Sequence, residues 1–262
     1  TGVQTCALPI LCLPIVVAPL VSMSIRLFYF SRSTSSQVIS KKFKKKYVKY
    51  MLGAGSSLVI SSLSVAIYTR LSLLTLGAID GKAAVGIYSV AASLATSWSF
   101  ILNSLITSTL PSIFSELDEN KAIKKTAKLN LIVVLVSVPV ILGVFILGSF
   151  FINYFYGVAY LASYTPLNIL TFSTMLGALG TVSARYIAKH AGYSFLSKKM
   201  LLVALFSLIV NIIFIYQYGI IGAAVANVLT QLLSLTLFNY FFKRGLILRL
   251  HMATLLFWRG RY

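Results

Sequence analysis

Residues 121–152 read KAIKKTAKLNLIVVLVSVPVILGVFILGSFFI: four lysines in eight positions, then 24 residues without a charge. A helix that crosses a bilayer needs about 20 mostly apolar residues. The stretch at 129–152 meets that length, and the lysines mark where it leaves the apolar phase. The same pattern recurs along the chain and predicts seven spans, at 11–30, 51–78, 83–110, 129–152, 160–184, 201–216 and 220–242. No consistent two-residue alternation accompanies these runs, which disfavours an outer-membrane barrel. The expected fold is all-α: a polytopic membrane helix bundle.

Composition agrees. Of 262 residues, 58% are hydrophobic and 10% charged, with a mean hydropathy of +0.91. Soluble domains carry roughly a quarter charged residues. This hydrophobicity excludes intrinsic disorder. Two cysteines, Cys6 and Cys12, cannot build a disulfide scaffold.

The 23 Lys+Arg against 4 Asp+Glu are distributed by position. Alternate connecting segments, 32–49, 121–128, 185–199 and 243–261, hold 20 of the cations, and the opposite set holds Lys82 alone. Cytoplasmic loops of membrane proteins carry such an excess. The basic segments are therefore expected on the cytoplasmic side of a bacterial inner membrane, and the alternation supports the seven-span count. Net charge +19 thus reports topology, not nucleic-acid binding. The run Lys41-Lys42-Phe43-Lys44-Lys45-Lys46 reads as a stop signal against anionic membrane lipids. The opposite connections are short, around Asp80-Gly81-Lys82, Tyr156-Gly157 and Gln217-Tyr218-Gly219. Segment 112–130 reads as a solvated or interfacial helix. The tail, 243–262, reads as basic and lying on the membrane surface, or else as the start of a further span.

Residues 1–10, TGVQTCALPI, resemble the in-frame translation of a sequencing adaptor. They are expected to be an artefact and are set aside from fold reasoning; a real apolar segment is the other reading. On the first reading the chain is a fragment of a longer protein.

All four acidic residues lie outside the expected spans. No paired carboxylates offer general acid–base chemistry. His190 and His251 fall in basic segments and form no catalytic set, and no phosphate-binding glycine loop is present. No catalytic residue, metal site or cofactor is expected, and the chain reads as a membrane transporter and not as an enzyme. An intramembrane Asp or Glu for ion coupling is also missing from these spans.

What remains is neutral polar chemistry. Ser89, Ser93, Thr96, Asn103 and Thr107 all point within about 40° of the Ser89 direction on a helix. The stripe leads to Pro111. It fits close helix packing, because small hydroxyl residues let helices approach, and it equally fits a cavity wall, which the Asn103 amide favours. A second stripe, Ser57, Ser61, Ser64 and Tyr68, lies on span two. Arg70 on that span is a candidate to hold a phosphate bidentately, or else snorkels to the interface. It points about 140–160° away from Ser57 and Tyr68, so one cavity takes both only if the helix bends. Arg26 is read as snorkelling. Asn211 and Asn227 are read as interhelical hydrogen-bonding groups, and Gly219–Ala224 as a tight turn with close packing.

Several of these elements, taken in order, resemble the bacterial polysaccharide flippases of the multidrug/oligosaccharidyl-lipid/polysaccharide exporter superfamily. They are Ile67-Tyr68-Thr69-Arg70-Leu71 with Gly77-Ala78, then Val85-Gly86-Ile87-Tyr88-Ser89-Val90-Ala91. Leu110-Pro111 and Phe155-Tyr156-Gly157 with Tyr160 follow. Asn211-Ile212-Ile213, then Tyr218-Gly219-Ile220-Ile221-Gly222-Ala223-Ala224-Val225-Ala226, complete the series. The resemblance runs over about 46–242. It implies two six-helix bundles around a central cavity that open alternately to either side. It also implies an undecaprenyl-pyrophosphate-linked oligosaccharide as substrate, moved to the outer leaflet. On that alignment 11–45 is the last helix of an N-terminal bundle plus a basic linker. Residues 46–242 form the whole C-terminal bundle, and the rest of the N-terminal bundle is a missing partner. Arg70 is then expected at the pyrophosphate, with Ser89, Ser93, Thr96, Asn103 and Thr107 at sugar hydroxyls. Relatives often carry an acidic residue where this chain has Ser72, so ion coupling or a salt bridge through that position is not implied. The competing expectations are a multidrug/cation antiporter of the same superfamily, a peptidoglycan-precursor flippase, and a non-transporting scaffold of a glycan-assembly complex.

Overall fold

The structure is a computed structural model that describes residues 17, 21–25, 28 and 45–258; the side chains of Ser57, Ser61 and Tyr68 and the whole of Arg26 lie outside the described residues. The chain divides into two units, Thr1–Lys49 and Tyr50–Tyr262. In the first, residues 17, 21–25 and 28 are helical and fall within the span expected at 11–30. Residues 1–10 and the lysine run at 41–44 lie outside the described residues.

The remaining described residues form α1 (Lys45–Ile79), α2 (Gly81–Ser97), α3 (Ser99–Phe114), α4 (Glu119–Tyr156), α5 (Tyr164–Lys189), α6 (Tyr193–Leu235), α7 (Leu237–Tyr240) and α8 (Leu246–Trp258). Short 3-10 turns sit at Val158–Ser163 and Phe242–Arg244. No strand occurs among the described residues. The chain is an all-α bundle. Four segments are long and apolar enough to cross a membrane: Gly81–Phe114, Glu119–Tyr156, Val158–Lys189 and Tyr193–Tyr240. Their outward faces are apolar: Phe145, Ile146, Leu147 and Phe150 are each more than 60% exposed. The polar residues Ser137, Ser163, Thr171, Ser183, Asn211 and Asn239 are fully buried. Water would select the reverse arrangement; hydrocarbon selects this one, with small polar side chains between helices.

Tyr193–Tyr240 holds two of the expected spans. A straight helix of its 48 residues would be about 72 Å long, far more than a hydrocarbon core of about 30 Å. Gly219 has φ 52 and ψ −129, which is not helical, and the chain doubles back there. Phe206 and Phe238, on opposite arms, have ring centroids 6.3 Å apart. Two antiparallel arms, 193–218 and 220–240, thus match the spans expected at 201–216 and 220–242. The turn is closed by Gly222, where a Cβ would overlap the Phe214 carbonyl oxygen.

The ends of the bundle alternate as the charge pattern requires. A Cβ on Gly219 would lie 2.8 Å from Asp80 Oδ2, so the α1–α2 turn and the hairpin tip share one end. At another group of turns the Lys189 ammonium donates to the Ile113 and Glu116 carbonyls, each at 2.7 Å. Lys125 pairs with Glu116 at 2.8 Å and donates to Ser112 O at 3.3 Å. These lysines bond carbonyls at the C-terminus of α3 and in the break that follows it, where cations are favoured.

Two expectations are corrected here. Segment 112–130 is not a separate interfacial helix. It holds the end of α3, a break at 115–118 and the first turns of α4. The Asp118 carboxylate caps α4, accepting from the Asn120 and Lys121 amides at 2.9 and 3.4 Å, and that cap lets the lysine-rich turns join the apolar span. The tail, in turn, does more than lie on a surface. Leu246, Ile247 and Leu250 of α8 are at most 6% exposed, in one core with Ala122, Ala127 and Val133 of α4. Asn130 Nδ2 donates to Thr254 Oγ1 at 3.3 Å. Despite the arginines of the tail, its apolar face at 246, 247 and 250, with Thr254 on the same side, fits helical spacing.

His251 anchors that helix. Its Nε2 lies 3.3 Å from Ser183 Oγ and its Nδ1 3.1 Å from the Tyr240 hydroxyl. Burial depresses its pKa from 6.5 to about 4. The Ser183 and Tyr240 hydroxyls can each accept or donate, so the ring keeps both bonds in either form, and it is burial that disfavours the charged ring. The unfolded chain therefore binds the proton first as pH falls. The stability that the neutral ring contributes is complete above about 6.5 and is lost as pH falls towards about 4. Thermal unfolding in detergent should show Tm falling between pH 7 and pH 5. In His251→Gln that fall should be shallower. An equal slope in the two proteins would contradict the assignment.

Candidate functional site: a neutral polar cavity

A cavity of about 530 Å3 opens between α1, α2, α3, α5 and the second arm of α6. Each helix contributes through its own spacing. Arg70 and Leu73 come from α1, Tyr88, Ser89, Ser93 and Thr96 from α2, and Ser99 and Asn103 from α3. Helix α5 presents Leu170, Ser173, Thr174, Gly177 and Thr181, and the hairpin arm presents Asn227 and Gln231. The spacing at 170, 174, 177 and 181 is one face of a helix. Gly177 gives the cavity depth: a Cβ there would come within 3.4 Å of Gln231 Nε2.

The expected stripe is largely on this wall. Ser89, Ser93, Thr96 and Asn103 line the cavity together with Arg70. Thr107 does not. It borders a shallow groove with Phe100, Asn103, Ser104 and Ser108, and Asn103 belongs to both depressions. Thr107 is four residues, about 6 Å, further along the helix than Asn103. The span is also broken between α2 and α3 at Trp98, with φ −85 and ψ −6, which an unbroken helical wheel ignores. In the second stripe Ser64 is buried and donates to Ile60 O at 2.9 Å; its companions are the side chains outside the described residues.

Four helices meet at one hydrogen-bonded chain beside the cavity. The Tyr88 hydroxyl bonds Ser72 and Asn227, and Ser173 Oγ donates to Asn227 Oδ1 at 2.7 Å. Ser72 and Tyr88 are each 2% exposed. This chain ties α1, α2, α5 and the hairpin arm together, and it fixes Tyr88 and Asn227 on the wall. The sequence reading placed Asn227 between helices and gave it no place at a site; here it has both positions. Tyr88, Ser173, Thr174, Thr181 and Gln231 were missed. The α5 periodicity carries a signal for Thr174 and Thr181, fainter than the stripe on α2 and α3. Asn211 stays within its own helix, donating to Ser207 O at 2.8 Å.

Electrostatically the cavity is simple. Arg70 is its one ionised group, and no carboxylate lines it. The arrangement offers one guanidinium at an exposed position and a wall of hydroxyls and amides. That set can hold an anionic group and a polyhydroxylated body. It offers no nucleophile with a partnered base.

The sequence profile of the family described as "Polysaccharide biosynthesis protein" matches residues 12–165. The chain belongs to that family. The matched region includes Arg70, Ser89, Ser93, Thr96 and Asn103, and ends before the α5 and hairpin residues of the cavity. No curated protein and no solved structure matched the chain. Membership of the family and the apolar bundle together make this a membrane protein that takes part in polysaccharide biosynthesis.

Proposed function

We propose that this family member is a flippase, which moves an undecaprenyl-pyrophosphate-linked oligosaccharide across the bacterial inner membrane for surface polysaccharide assembly. One observation carries the reading: a neutral, hydroxyl-lined cavity with a single guanidinium, set among helices apolar enough to span a bilayer. In this reading Arg70 receives the pyrophosphate, and the α2–α3 wall receives the sugars. The protein transports and does not make or break bonds. The basic ends face the cytoplasm, where Lys121, Lys124, Lys125 and Lys128, all exposed, meet anionic lipid headgroups. A second helical bundle closes the open side of the cavity, and transport proceeds as one bundle rocks against the other. A cation antiporter fits less well, because a cationic cargo is repelled by Arg70 and finds no carboxylate on the wall.

The test is genetic. Arg70→Ala, introduced in a host whose surface polysaccharide depends on this gene, should lower surface glycan and leave lipid-linked precursor in the inner leaflet. Normal glycan at a normal protein level would refute the role of Arg70.

A further inference from the structure

We propose that the cavity recognises its ligand through the ligand's own hydroxyl protons, so that it takes a glycan whose hydroxyls are free and rejects one whose hydroxyls are alkylated or acylated. The proposal rests on the transport reading above and specifies the substrate class for the same site.

The direction of the wall's hydrogen bonds carries it. Thr96 Oγ1 donates to Ala92 O at 2.8 Å and Ser89 Oγ to Gly86 O at 2.8 Å. Thr181 Oγ1 donates to Gly177 O at 3.0 Å. Thr174 Oγ1 lies 2.9 Å from Ala95 O and 3.0 Å from Leu170 O. Ser173 Oγ donates to the Asn227 side-chain oxygen at 2.7 Å. A carbonyl oxygen can only accept, so each of these five hydroxyl protons is committed to the protein. All five residues line the cavity, and what their hydroxyls have left to offer a ligand is lone pairs. These five positions form an acceptor face that pairs with donors, while Arg70 and the Asn103 amide supply donors elsewhere on the wall. A sugar ring carries several hydroxyl donors; an O-methyl or O-acetyl group carries none, and would bury these lone pairs against another acceptor. A site built to bond a hydroxyl discriminates strongly against the analogue lacking it. Spare protons at these five positions would carry no such preference, because ether and ester oxygens also accept.

The test uses the full chain in nanodiscs with Trp258→Phe, which leaves Trp98, in one buried cluster with the cavity-lining Leu102, as the sole tryptophan reporter. The probes are maltose, permethylated maltose and inorganic pyrophosphate. Maltose should shift Trp98 fluorescence with at least tenfold higher affinity than its permethylated form. In the Thr96→Val, Thr181→Val double variant, two acceptor hydroxyls become methyl groups of the same shape. Both bond only their own helix, so the fold should survive, as circular dichroism will check. The tenfold ratio should then fall below about threefold, in line with roughly a factor of five per hydrogen bond. Equal binding of the two sugars, or a ratio untouched by the valines, would overturn the proposal; the latter would mean rejection by size. If pyrophosphate binds through Arg70 while the sugars bind equally, the proposal fails and the transport reading stands. If neither maltose nor pyrophosphate binds, the transport reading fails and the proposal fails with it.

Discussion

Gly222→Ala should destabilise the protein more than any other single methyl added to it. The new Cβ would overlap the Phe214 carbonyl oxygen and crowd Ile215 N at 3.1 Å. Both are backbone atoms, so no rotamer change can relieve the clash, and the two arms of the hairpin must separate. Overpacking of this kind costs about 3 kcal/mol, which corresponds to a Tm lower by roughly 6–12 °C for a chain of this size. A control is Gly143→Ala, on the apolar face of α4, where nothing lies within 4 Å of the new Cβ. It should leave Tm unchanged or slightly raised, since alanine is the better helix former. Thermal unfolding of the two variants in one detergent decides the matter. Matching melting temperatures would mean that the arms do not pack as described.

Arg70→Ala should produce the largest functional loss. A guanidinium can bind two phosphate oxygens through a rigid fork. Hydrogen bonds to a charged group contribute about 1.5–3 kcal/mol, so removing them should weaken transport roughly 10- to 100-fold. Arg70→Lys keeps the charge and loses the fork, and should fall between the two. Ser97→Ala serves as the comparison. Ser97 donates to Leu94 O at 2.8 Å and does not line the cavity, so its loss should leave surface glycan intact. The order wild type, Lys, Ala in surface glycan at matched protein level is the expected outcome. Equal glycan in all three would place the pyrophosphate elsewhere.

How much of this was readable from the sequence differs by level. The apolar runs were legible because hydrocarbon imposes one requirement on every residue of a span, so the signal accumulates over about 20 positions. The hairpin at Gly219 was legible from Gln217-Tyr218-Gly219 for the same local reason. The wall of the cavity was legible only on one helix. Ser89, Ser93, Thr96 and Asn103 share a face and could be found by spacing. Tyr88 and Asn227 could not, because their place depends on Ser72 and Ser173, which lie on other helices and far away in the chain. Thr107 was misplaced because a helical wheel knows angle but neither length along the axis nor the break at Trp98. The docking of α8 was hidden by charge: Arg249 is exposed while Ile247 and Leu250 on either side of it are buried. His251 was set aside as a basic-segment residue for the same cause, although it joins α8 to Ser183 and Tyr240.

The central claim is that a water-accessible, sugar-binding cavity lies inside an apolar bundle. Cysteine accessibility in native membranes tests it most directly. With Cys6 and Cys12 replaced by serine, single cysteines at Ser93, on the cavity wall, and at Phe145, on the outward apolar face, are exposed to a membrane-impermeant maleimide. Lipid-linked oligosaccharide is then added as a protecting ligand. The account predicts that Ser93→Cys is labelled and is protected by the oligosaccharide, while Phe145→Cys stays unlabelled. A Ser93→Cys that resists labelling, or one labelled at the same rate whether or not the oligosaccharide is present, would contradict it.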